Sequence, residues 1–217
     1  MGTSMAFFWL ANRGLTPEHI REKLPLLQKR NDSRNQEMAG LLAGSLQRQA
    51  GEEKLTPELQ ALINSMTQKI ACITLAYAEQ ARWVPLFDGN MCQGPIVSSR
   101  DTSQLAEIFG VPVLACSLFD SDVLTISYSD PERGIKADYA RPNVPEYMEF
   151  DSDTYQTQFP EFLVDLCGED ARERLREIWA SEEYVFADDR MYDICGLLGA
   201  QALYSGDETP EGFIPIT

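Results

Sequence analysis

Three apolar runs between Val111 and Tyr139, separated by two turn-forming clusters, constrain this chain more than any other feature. The first holds Val113, Leu114, Cys116, Leu118 and Phe119. The second holds Val123, Leu124, Ile126 and Tyr128. The third is Ile135 to Tyr139. Asp120-Ser121-Asp122 parts the first two, and Asp130-Pro131-Glu132-Arg133-Gly134 parts the last two. Asp, Ser, Pro and Gly clusters between short β-prone runs are hairpin signals. The stretch therefore reads as a β-meander with antiparallel pairing.

The rest of the chain supplies elements to cover such a sheet. Met5 to Ala11 is a compact apolar run that reads as a first strand. Thr16-Pro17-Glu18 opens a helix, with Thr16 as N-cap and Pro17 at the first helical position. Pro25 falls inside that pattern and should end or kink it. Residues 28–54 are polar and read as an insertion or flap with a short helix around Glu37 to Gln49. Ile70 to Tyr77 and Arg82 to Phe87 read as strands, and Pro85 would confine the second to an edge or bulge. Asp101-Thr102-Ser103 starts a helix that Gly110 ends.

Beyond residue 158 the pattern turns helical: Phe159 to Leu166, Ala171 to Ala180, and Asp188 to Leu198, with Asp188 as N-cap and Gly199 closing the last. The tail from Tyr204 carries Gly206, Pro210, Gly212 and Pro215 and reads as loop. Strands first and helices last describe an α+β protein with a predominantly antiparallel sheet flanked by helices. The expected organisation is a sheet domain over residues 1–157 and a helical C-terminal portion over 158–217 packed on it.

Charge narrows the function classes. The chain has 34 acidic and 18 basic residues, a net of −16. Residues 1–60 carry eight Lys/Arg and seven Asp/Glu, so almost all of the excess lies after residue 60. Such a chain should repel nucleic acid and anionic membranes and attract basic proteins, the alternative being that its acidity serves only solubility. No apolar run reaches the roughly 18–20 residues that span a bilayer. The run at Met5 lacks a basic segment before it, which argues against a signal peptide. Five cysteines at 72, 92, 116, 167 and 195 form no Cys-x-x-Cys pair. An odd, widely spaced set points to reduced thiols in the cytoplasm, not to a zinc site or a disulfide framework.

Several segments together resemble a group of uncharacterised bacterial cytosolic proteins. They are Gly110-Val111-Pro112, then Asp120-Ser121-Asp122-Val123-Leu124, Tyr128, Asp138-Tyr139 and Tyr147, and finally Tyr184-Val185-Phe186-Ala187-Asp188-Asp189 with Leu197-Leu198-Gly199. The resemblance covers roughly residues 100–200 and departs after Tyr139, where Ala140-Arg141-Pro142-Asn143 replaces an Asn-Pro order. It carries over no activity. Some members of the group resemble accessory or immunity-type proteins, which implies a binding role.

Phe119-Asp120-Ser121-Asp122 recurs word for word as Phe150-Asp151-Ser152-Asp153. Asp-x-Asp can give two oxygen ligands to Mg²⁺ or Ca²⁺, so Asp120, Asp122, Asp151 and Asp153 are the candidate binding residues. The competing reading makes each knot a turn held by side-chain to backbone bonds. Were the two knots adjacent, four carboxylates would meet and a divalent-metal-dependent enzyme would become the alternative function. His19 is the sole histidine and lies on a helix beside Glu18 and Glu22. No Gly-x-Ser-x-Gly, Gly-x-Gly-x-x-Gly or Walker motif occurs. Trp83, Phe87, Tyr128, Tyr139, Tyr147 and Trp179 read as core before they read as a groove. Arg172, Arg174 and Arg176 read as an exposed helix face laced by ion pairs. The balance favours a binding protein that uses its acidic surface on a basic partner over an enzyme.

Overall fold

The computed structural model describes residues 5–50, 56–58, 61, 73–89, 97–141, 155–204 and 209–217. Its frame is a seven-stranded antiparallel sheet. The strands are β1 (Met5–Ala11), β2 (Ile73–Tyr77), β3 (Trp83–Asp88), β4 (Val113–Phe119), β5 (Val123–Asp130), β6 (Ile135–Ala140) and β7 (Ile214–Ile216), in the spatial order β6-β5-β4-β1-β3-β2-β7. The helices are α1 (Pro17–Ala50), α2 (Ser99–Phe109), α3 (Phe162–Cys167), α4 (Arg172–Ala180) and α5 (Ala187–Leu198), with a 3₁₀ turn at Glu169–Ala171 before α4. This is the α+β architecture that the strand and helix patterns imply.

The strand sequences are apolar at successive positions because both sheet faces are covered. In β1, Phe7, Trp9 and Ala11 point into a core shared with α3, α4 and α5. Ala6, Phe8 and Leu10 point into a second core under α1 and α2. Alternation along the strand thus feeds two cores at once. Each fully buried Phe or Leu contributes about 1.5–3 kcal/mol relative to exposure. The indoles anchor the C-terminal segment as well: Trp9 Nε1 donates to Gln201 O at 2.7 Å and Trp83 Nε1 to Leu198 O at 3.1 Å.

The meander over 113–140 forms with the registers Cys116↔Ile126 and Ser127↔Asp138. Thr16 Oγ1 accepts from His19 N at 3.2 Å, the expected cap of α1. α1 then runs unbroken past Pro25 to Ala50, so residues 28–50 belong to one 34-residue helix and not to a flap. Pro25 is exposed, so the backbone bond it removes is lost on the solvent side, where water replaces it. Leu27 is fully buried two residues further on, and Asn31 Nδ2 donates to the buried Asp88 carboxylate at 2.5 Å. Arg30 pairs with Asp101 of α2 at 2.8 Å. These contacts hold the helix to the sheet and to α2 beyond the proline.

Two strand expectations need correction. Pro85 lies in β3, between β1 and β2, and not on an edge. The registered β2–β3 ladder ends at Leu75↔Leu86, one residue short of Pro85, so no β2 partner is registered for its missing N–H. The tail is not all loop: Ile214–Ile216 adds β7 to β2, with Ile216 buried and Pro215 opposite Ala76. A proline in a three-residue edge strand blocks further pairing.

The C-terminal helices start close to their expected positions. The N-cap of α5 is Phe186 in an extended conformation, which puts Asp188 and Asp189 in the first turn. Gly199 ends that helix in the left-handed region at φ 67°. No helix among the described residues is long and apolar enough to cross a membrane.

Candidate functional site

The Asp-Ser-Asp knot is the β4–β5 hairpin turn. Asp120 has φ 50° and Ser121 φ 60°, and Asp122 N donates to Phe119 O at 3.1 Å. Two successive left-handed residues give the turn whose twist matches paired strands. Asp tolerates that region better than most side chains do, and Ser121 holds it while buried. The turn reading of this segment therefore holds. Asp120 and Asp122 are exposed on either side of Ser121.

A single backbone bond sets the place of this turn. Ala187 N, the first amide of α5, donates to Ser121 O at 2.8 Å. Helix-initial amides have no partner within their own helix, and here the hairpin turn supplies one. Asp188 and Asp189 follow immediately and complement the positive end of the helix dipole. One hydrogen bond thus brings the turn with the exposed Asp120 and Asp122 to the start of α5, where Asp189 is exposed and Asp188 is half-buried, its Oδ1 enclosed and without a hydrogen-bond partner among the described residues. The two residues before Ala187 are apolar and open to solvent, Val185 at 79% and Phe186 at 53% exposure.

Asp151 and Asp153 lie outside the described residues, as does Tyr147. Among the described residues no three carboxylate, thiol or imidazole groups form a set that could hold a metal ion.

Behind the acidic edge, two arginines close the end of α4. Arg190, 5% exposed, donates to Ile178 O, Trp179 O at 2.7 Å and Ser181 O at 2.8 Å. Arg141, from the end of β6, donates to Ala180 O, Ser181 O and the Glu182 carboxylate. Cations at a helix C-terminus meet the negative end of its dipole. Burial and the neighbouring Arg141 charge pull the Arg190 guanidinium down to about 10. Its guanidinium also stacks 4.7 Å from the Tyr184 ring centre. Sequence reading missed both arginines, because their partners are backbone carbonyls that carry no side-chain signature.

Next to this closure lies a cleft of about 680 Å³ lined by Arg174, Glu177, Ile178, Ala180, Ser181, Glu183 and Tyr184. The arginine triplet is ion-paired as its pattern implies, with different partners. Arg172 bonds Glu169 and Glu161 at 2.5 Å each, Arg174 meets Glu177 at 3.2 Å, and Arg176 meets Glu161. The Arg176 and Arg172 bonds hold the Glu161 carboxyl below its ordinary range.

On the opposite face of the sheet a hydroxyl-rich layer lies under α2. Thr125, Ser127 and Ser129 alternate with Leu124, Ile126 and Tyr128 along β5 and face the helix. Asp138 accepts from Ser99 Oγ and Ser127 Oγ at 2.6 Å each, and Ser129 Oγ meets Thr102 Oγ1 and Ser103 Oγ at 2.8 and 2.9 Å. A serine–carboxylate pair needs a base to become a nucleophile. The only histidine, His19, contacts Phe109 O at the other end of α2, about 15 Å away for an 11-residue helix. The layer positions α2. It shows in the sequence only as hydroxyls at every second position of β5.

Trp83, Phe87, Tyr128 and Trp179 are buried in the two cores, as the core reading has it, and Tyr139 is half-buried against the first of them. Cys116, Cys167 and Cys195 are free thiols. No family model matches this chain, and neither a curated protein nor a solved structure does at a significant level.

Proposed function

We propose that this chain is a cytoplasmic, non-catalytic binding protein that engages a basic protein partner, in the manner of the accessory or immunity-type proteins that its motifs resemble. The observation that carries this reading is the edge built by the Ser121–Ala187 bond. That bond brings the turn carrying the exposed Asp120 and Asp122 to the helix start carrying the exposed Asp189, and the two residues before that helix, Val185 and Phe186, are apolar and solvent-open. Solvent-open apolar side chains near exposed carboxylates suit an interface in which the charges steer approach and the apolar groups hold the complex. The net of −16 extends the same field over the whole molecule and raises the encounter rate with a cation-rich surface.

The test is capture of a basic protein from the native host's lysate at low salt by the intact chain. The reading expects a retained protein of net positive charge, release as salt rises through the physiological range, and loss of capture by the charge-reversed variant D120K/D122K. Retention of nothing at low salt, or capture that the reversal leaves unchanged, would overturn it.

A further inference from the structure

Two cysteines meet in the core between the sheet and α5. Cys116 lies in the middle of β4 and is 1% exposed, and Cys195 lies near the end of α5 and is 4% exposed. The ends of α5 fix how it crosses the sheet. Ala187 N bonds Ser121 O just past β4, and Leu198 O accepts from Trp83 of β3. Cα atoms of β4 and α5 come within 8 Å of one another, near the reach of a disulfide. Aromatic contacts place the Cys195 turn beside Cys116. Phe7 of β1 is the cross-strand partner of Cys116. The Tyr204 ring meets Phe7 edge-on at 5.1 Å, and its hydroxyl bonds that of Tyr192 on α5. Tyr192 and Cys195 stand three positions apart, so they are neighbours on adjacent turns. The path from Cys116 through Phe7, Tyr204 and Tyr192 to Cys195 closes on itself, because the two thiols interact directly.

Burial decides what such a pair can react with. The Cys195 thiol beside it, then burial, push the Cys116 thiol well above its ordinary range. Cys116 therefore stays protonated at neutral pH, and the thiolate is the nucleophile. A bulky disulfide reagent cannot enter a core packed this closely. A peroxide is little larger than water and needs only a local opening of the helix. Cys195 is the nearer of the two to solvent. The next residue, Gly196, is exposed, and a Cβ added there would meet nothing within 4 Å.

We propose that Cys116 and Cys195 form a redox-modification site, at which a peroxide oxidises Cys195 and Cys116 resolves the product to a disulfide that staples α5 to β4. In the first step the Cys195 sulfur attacks one peroxide oxygen and the O–O bond breaks. The other oxygen leaves as water with the thiol proton, and Cys195 becomes a sulfenic acid. In the second step the Cys116 sulfur attacks the Cys195 sulfur and the S–O bond breaks. The hydroxyl leaves as water with the Cys116 proton. Two electrons pass from the two sulfurs to the peroxide, which ends as two waters. The site stands independently of the binding reading above, and its staple acts on the helix whose start carries Phe186 and Asp189.

The test is treatment of the intact folded chain with excess hydrogen peroxide, then blocking of the remaining thiols in denaturant, intact mass and a non-reducing peptide map. The expected product is about 2 Da lighter before blocking, carries a Cys116–Cys195 link and returns to the parent with dithiothreitol. Amide hydrogen exchange in α5 should slow about tenfold or more in the oxidised chain, because opening of the helix now has to carry β4 with it. Cys116→Ser should leave Cys195 as a sulfenic acid that a sulfenic-acid probe labels. The parent chain alone decides the outcome, so a variant that fails to fold does not. A link from either residue to Cys72, Cys92 or Cys167 would overturn the site. So would sulfinic or sulfonic acid at Cys195 with Cys116 unlinked, or a Cys116–Cys195 link that forms only in denaturant.

Discussion

The Ser121 carbonyl accepts the Ala187 amide at 2.8 Å, and this bond joins a hairpin turn to the start of the last helix. The partners are 66 positions apart in the chain, yet each satisfies a need of the other. The turn exposes a carbonyl that its own ladder does not use, and the helix exposes an amide that its own ladder cannot use. Together with the core that α5 shares with β4 and β5, this bond sets the exposed turn carboxylates beside the start of the helix.

The conformation of Ser121 gives the first prediction. At φ 60° a β-branched residue is strained, whereas glycine is at ease. Ser121→Val should lower unfolding stability by about 1–2 kcal/mol. Ser121→Gly should be tolerated far better, within a few tenths of a kcal/mol of the parent. Urea denaturation of the two variants measures the difference. Equal stability of Val and Gly at this position would mean that the turn is not left-handed there.

Tyr128 gives a pH prediction. Its side chain is buried, and its hydroxyl donates to Asp130 Oδ2 at 3.2 Å. Asp130, also buried, accepts from Glu132 N and Arg133 N and so organises the β5–β6 turn. Burial, then the Asp130 charge, push the phenol from 10 to about 12. A group whose folded value is raised holds its stabilising share below the unfolded value and loses it as pH climbs to the folded one. Stability should therefore fall between pH 10 and about 12, and the fall should be smaller in Tyr128→Phe. Denaturant midpoints measured across that range, alongside phenolate absorbance, check it. An identical decline in parent and variant would count against the assignment.

Arg190 gives a prediction about the C-terminal helices. It donates to three backbone carbonyls at the end of α4 from a buried position on α5. Removing it leaves those acceptors without their charged donor, and bonds to charged groups are worth about 1.5–3 kcal/mol each in net terms. Arg190→Met should cost at least about 3 kcal/mol. Arg190→Lys should recover only part of that, because an ammonium cannot reproduce the planar fork. Chemical denaturation followed by tryptophan fluorescence is the measurement, since Trp179 reports on this site.

Much of this was legible from the residues alone, for identifiable reasons. The meander announced itself because β-branched runs and turn clusters are local signals, and Phe119 to Val123 needs nothing distant to turn. The helices after residue 158 were legible from apolar spacing and from Gly168 and Gly199. Pro25 misled because its effect depends on which side of the helix loses a bond, and exposure is not written in the residue. Pro85 misled because a strand's place in the sheet is decided by its neighbours. Ile214–Ile216 was hidden since three residues carry no periodicity. At the candidate site, Asp120 and Asp122 were visible as a motif. Their companions Asp188 and Asp189 were visible only as helix-starting acids, because the bond that unites them runs through backbone atoms. Asp151 and Asp153 lie outside the described residues, so their relation to the first knot stays an expectation of the sequence.

The acidic edge gives the last prediction, which separates its two components. Charges at the rim of an interface act mainly on encounter, and buried apolar anchors act mainly on dissociation. With the captured basic partner in hand, D120K/D122K should slow association and flatten its salt dependence while changing the dissociation rate little. Val185→Ser with Phe186→Ser should do the reverse, raising the dissociation rate about tenfold or more, as expected for loss of a hot-spot anchor. Both side chains are more than half exposed, so the double serine variant should keep its stability within about 0.5 kcal/mol of the parent. Surface plasmon resonance at two salt concentrations reads both rates. If the serine variant dissociates as slowly as the parent, then Val185 and Phe186 do not touch the partner, and Asp120 and Asp122 steer it to some other face.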